Sequence, residues 1–91
     1  MKMDSTLKVA LYNILFSADV YAQTVSRTPS KLIERKRKIK RLKNILVTDI
    51  SYNDYMNEVQ KISGDKMVKY PLRHHILNRS KMAYLEYKQT L

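Results

Sequence analysis

Ninety-one residues suffice for one hydrophobic core and not for two, so residues 1–91 read as a single domain. Eighteen Lys and Arg against eight Asp and Glu give a net charge of +10, which calls for acidic partners, while 44% apolar residues argue against wholesale disorder. The absence of Cys excludes disulfides, thiol catalysis, iron–sulfur clusters and every cysteine-based zinc motif.

One Gly and two Pro leave few positions for tight hairpin turns, so an all-α bundle of four helices is expected, at about 5–26, 29–46, 52–63 and 71–89, the third being short. In the first, Leu7, Leu11, Ile14, Ala18, Tyr21 and Val25 recur at alternating four- and three-residue steps, with Ala10, Leu15 and Ala22 widening the apolar seam. Asp4 or Ser5 suits the N-cap. The opposite face is polar and almost uncharged, which places this helix centrally or against a second chain. Asn13, Ser17, Asp19, Gln23 and Thr24 would lack partners in lipid, so the segment reads as a soluble helix and not a membrane span. The first eight residues do not follow the order of a secretory signal, and an intracellular, cytoplasmic location is expected, with the organellar matrix or nucleus as alternatives.

Thr28-Pro29 reads as an N-cap with Pro at the first helical position. The apolar residues that follow, Leu32, Ile39, Leu42 and Leu46, fall within about 80° of a helical wheel and leave a narrow seam. Ser51 with Asp54 approximates a capping box for a third helix carrying Tyr52, Tyr55, Met56, Val59 and Ile62, closed by Gly64 as its C′ residue. Pro71 opens a fourth at N1, with Leu72, Ile76, Ala83 and Tyr87 flanked by Leu77, Ser80, Tyr84 and Leu91.

Charge is concentrated in the second helix. Residues 27–47 carry nine basic residues and one acid, a net +8 that leaves only +2 for the rest of the chain. Lys36/Lys40 and Arg37/Arg41 stand four apart on one face, where like charges each cost a few tenths of a kcal/mol that a polyanion would relieve. Arg35, Lys36, Arg37, Lys38, Lys40, Arg41 and Lys43 are therefore candidate phosphate ligands, with Arg73, His74, Arg79 and Lys81 of the fourth helix as a second strip joined to them. No base-reading motif accompanies them, so the expected contact is with the RNA or DNA backbone, RNA favoured, as a small subunit of a larger assembly. The plainer readings of the same run are a solvated helix face or a nuclear-localisation segment; an acidic protein surface is another partner it could meet. An anionic membrane surface fits less well, since the seam is narrow and without Trp or Phe anchors.

The alternative function is a protein-binding regulator or adaptor, such as an inhibitor of a larger enzyme or a small organellar complex subunit. It would use the outer face of the first helix with Tyr12, and Tyr70 is the other tyrosine expected at an exposed contact. Tyr21, Tyr52, Tyr55, Tyr84 and Tyr87 fall at core spacing. His74 and His75 are adjacent, so they point about 100° apart on a helix and cannot share a metal as an i, i+4 pair would. No metal, cofactor or catalytic group is assigned, because no nucleophile–base–acid set or Gly-rich phosphate loop is present.

Leu11-Tyr12-Asn13, near the start of a first helix that precedes a basic second one, resembles the motif of the LYR family of small mitochondrial adaptors and complex subunits. The family's third motif residue is Arg where this chain has Asn13, and its Phe in a later helix has no counterpart. No role is carried over from it.

Overall fold

The computed structural model describes residues 3–62 and 70–90. Four helices follow one another: α1 (Ser5–Val25), α2 (Pro29–Leu46), α3 (Tyr52–Gln60) and α4 (Leu72–Gln89). α1 packs most extensively against α4 and α2, and α3 bridges α2 and α4, so the helices form a ring with α2 and α4 across it from each other.

Local chemistry accounts for the starts. Asp4 accepts from the Thr6 amide at 2.7 Å, Thr28 from that of Lys31 at 3.3 Å, and Ser51 from that of Asp54 at 3.1 Å, each satisfying an amide that the first turn leaves open. Pro71 stands one residue earlier than expected, as the N-cap of α4 and not its first helical residue, and gives no side-chain cap. α3 stops at Gln60, with the Lys61 amide bonded back to the Glu58 and Val59 carbonyls. The expected closure at Gly64 lies outside the described residues, as do Asp65 and Leu91.

The core is one cluster. α1 contributes Leu7, Leu11, Leu15, Ala18 and Ala22, α2 Ile39, Leu42 and Leu46, α3 Tyr55, Met56 and Val59, and α4 Leu72 and Ile76, with Ile62 just beyond α3. The deepest line of α1 thus runs one position beside the expected seam, with Ile14 and Tyr21 half-buried at its edge. The cause is that α1 serves two neighbours. Its innermost residues point between α2 and α4, while Tyr21 leans toward α4, stacking on His75 at 4.5 Å and donating its hydroxyl to the Tyr70 carbonyl. Tyr52 and Tyr84 join α3 to α4 as a parallel stack at 3.9 Å. Of the five tyrosines at core spacing only Tyr55 is fully buried, because the others keep their hydroxyls at the boundary. No helix among the described residues is long and apolar enough to cross a membrane.

Candidate nucleic-acid interface

The basic run folds as expected into α2, but the fold divides its cations into groups with different surroundings. Arg35 belongs to the core side: only 4% exposed, it follows Leu32 and precedes Ile39 along the buried face. Its Nη1 donates to Ser26 Oγ at 2.6 Å, beside the C-terminus of α1, where the helix dipole favours a cation. The expectation that Arg35 contacts a partner is therefore corrected. Its position on the wheel turns it inward, and its fork closes the α1–α2 connection.

Two further cations are engaged with acids of other helices. Lys43 donates to Asp19 Oδ2 at 2.6 Å and lies 4.5 Å from the centre of the Phe16 ring, clasping α2 to α1. Arg41 reaches Glu58 of α3 at 3.5 Å while remaining open to solvent on its other side. Within α2, Glu34 stands between Lys31 at 3.9 Å and Lys38 at 3.4 Å. Lys36, Arg37 and Lys40 are left. All three are exposed, and none has a carboxylate partner among the described residues.

These side chains make two rows on the outward face. Lys36 and Lys40 lead along the α1 side toward Lys43; Arg37 and Arg41 run along the α3 side, each pair one turn or roughly 5–6 Å apart along the axis. The second row ends at an open cleft of about 160 Å³ between α2 and α3, lined by Lys38, Arg41, Leu42, Glu58, Lys61 and Ile62. There Lys61 donates to Glu58 Oε1 at 3.2 Å, opposite Arg41, so two cations share one carboxylate while Lys38, paired with Glu34, lines the same cleft. Lys61 was not among the residues expected here: it lies far from the basic run in sequence, and only the packing of α3 on α2 brings it near.

The α4 candidates do not extend this surface. Arg73 is half-buried, His74, Arg79 and Lys81 are exposed, and although His74 and Lys81 share a side, Arg79 stands well round the helix from them, on a helix that lies across the bundle from α2. A single strip joining them to α2 is not formed. His75, beside them, is buried against Tyr21, and burial together with the nearby Arg79 charge holds its imidazole below the usual histidine pKa.

The two tyrosines expected at exposed contacts differ. Tyr70 is exposed but tied down, its hydroxyl donating to the His74 carbonyl and accepting from Asn78 Nδ2 at 2.6 Å. Tyr12 is half-buried and meets Phe16 edge-on at 5.4 Å. Sequence periodicity missed the residues next to it: Phe16, Val9 and Val20 lie on the outer face of α1 and are 54%, 59% and 66% exposed. Compared with protein families, curated proteins and solved structures, the chain matches none of them.

Proposed function

We propose that this protein is a non-catalytic binder of nucleic-acid backbone, RNA favoured, acting as a small subunit of a larger assembly through the outer face of α2. The observation that carries the reading is the contrast within one helix. Arg35, Lys38, Arg41 and Lys43 find partners inside the chain, whereas Lys36, Arg37 and Lys40 stand together in solvent with none among the described residues. Like charges held on one helical face repel, and phosphates relieve that repulsion while releasing condensed counterions. The rows present lysines and arginines on the outward face of a helix, with no base-reading element beside it among the described residues, which suits backbone contact without sequence readout.

Three or four phosphate contacts give a slope of log K against log salt of about −2 to −4. The triple substitution Lys36→Glu, Arg37→Glu, Lys40→Glu should abolish retention of mixed RNA and DNA at moderate salt and leave the helical content unchanged. Equal affinity for the triple variant and the unaltered protein would overturn the proposal. A second reading, a protein-binding adaptor working through α1, is favoured by one observation: the exposed Val9, Phe16 and Val20.

A further inference from the structure

We infer that the cleft between α2 and α3 takes a phosphomonoester, the terminal phosphate of a nucleic-acid strand lying along the Arg37 and Arg41 row. The inference rests on the nucleic-acid reading above and gives the strand an anchoring point that the outward face of α2 does not provide.

On that face a phosphate meets side chains of one helix. The cleft is where cations of two helices meet: Lys38 and Arg41 come from α2 and Lys61 from the C-cap of α3, over a floor closed by the buried Leu42 and Ile62. The carboxylate in this lining is Glu58. Its side chain is 25% exposed, against 72% for Arg41 and 67% for Lys61, so the acid lies deeper and the two cations stand outside it. Each of its oxygens is already engaged, Oε2 by Arg41 Nη2 at 3.5 Å and Oε1 by Lys61 Nζ at 3.2 Å. Glu58 thereby holds a guanidinium and an ammonium at one opening, and among the described residues it takes a single donor from each. A guanidinium has five N–H donors and an ammonium three, so most remain for an acceptor arriving from solvent. Exposed ion pairs of this kind are weak and yield readily to a stronger acceptor.

Charge selects between the two kinds of phosphate that a strand offers. Around the cleft, Lys31, Lys38, Arg41 and Lys61 are paired with Glu34 and Glu58, four cations and two carboxylates, which leaves +2. A diester inside the strand brings a single negative charge, whereas a terminal phosphate carries roughly −1.5 to −2 at neutral pH and three strong acceptor oxygens. Access agrees with charge. The row of Arg37 and Arg41 runs into the cleft, so a strand on that row delivers its end to the opening, while an internal diester would have to bend into and out of a space of about 160 Å³.

Competition binding to the full chain at moderate salt tests this. Unlabelled short single-stranded RNAs of one sequence, ending in hydroxyls, in a 5′-phosphate or in a 3′-phosphate, displace a labelled strand. A phosphate at one of the ends should tighten binding about five- to tenfold over hydroxyl ends. Lys61→Gln, with circular dichroism unchanged, should bring the phosphorylated strand down to the affinity of the hydroxyl-ended one, and Lys61→Arg should restore the difference. The difference should also shrink from pH 7.5 to 5.5, because a terminal phosphate loses its second charge around pH 6. The groups facing it are Lys38 and Arg41 of α2 with Glu58 and Lys61 of α3, and no histidine is among them. Equal affinity whatever the end, or an advantage that Lys61→Gln leaves intact, overturns the proposal while the backbone reading stands. Adenosine monophosphate that competes as well as the phosphorylated strand would assign the cleft to free nucleotides and overturn the strand-end assignment. Retention of no strand at all removes the backbone reading, and this one with it.

Discussion

Arg35 shows how little a residue's type says about its role when its neighbours on the helix are ignored. It stands among six other cations in a nine-residue window, yet it is the one turned into the core, on the arc between Leu42 and Ile39. The three-carbon stem packs there while the guanidinium reaches Ser26. Arg35→Ala removes both the packing and the bond and should cost about 1–3 kcal/mol of stability, read from urea denaturation. Lys36→Ala, one residue on and fully outside, should change stability by less than about 0.5 kcal/mol. In a nucleic-acid titration the order reverses, with Lys36→Ala weakening binding more than Arg35→Met. His75 is a second case of a buried polar residue with a measurable signature. Its folded-state pKa lies below the ordinary 6.5, so the unfolded chain binds more protons as pH falls through 6.5. Stability from this group is fully present above that value and declines below it, levelling once the folded imidazole also protonates. The thermal midpoint should therefore be lower at pH 5.5 than at 7.5, and His75→Phe should shrink the difference; an unchanged difference would show that other groups cause it.

At the scale of elements, the helices could be read from the chain because their signals are local. Thr28 before Pro29, and Ser51 three residues before Asp54, fix two starts through side-chain oxygens that accept from nearby amides. Seams were legible to within one position. The displacement on α1, from Ile14 and Tyr21 toward Leu15 and Ala22, follows from its packing against two helices at once, which no single-helix pattern encodes. Arg35 was readable in principle, since it falls inside the arc defined by Leu32, Ile39, Leu42 and Leu46. Lys61 was not: its approach to Arg41 depends on how α3 crosses α2. Nor was the separation of Arg73, His74, Arg79 and Lys81 from α2, which is a consequence of the order of helices around the bundle. The outer face of α1 was legible as uncharged, but Phe16 and Val20 had to be seen in place to be recognised as exposed.

For the whole molecule, the arrangement of helices separates two surfaces of different character. The cationic rows lie on the outward side of α2 and the uncharged stripe on α1, while the Lys43 clasp to Asp19 and Phe16 holds the two helices together between them.

The central position of α1 also governs how the native state opens. α1 packs against both α2 and α4, and its Leu11, Leu15 and Ala18 are wholly buried, whereas α3 is nine residues long and Asn53, Asp54, Asn57 and Gln60 face solvent. Amide hydrogen exchange should accordingly be slowest in the middle of α1, limited by global unfolding, and faster across Tyr52–Gln60 through partial openings that leave the α1–α2 pair intact.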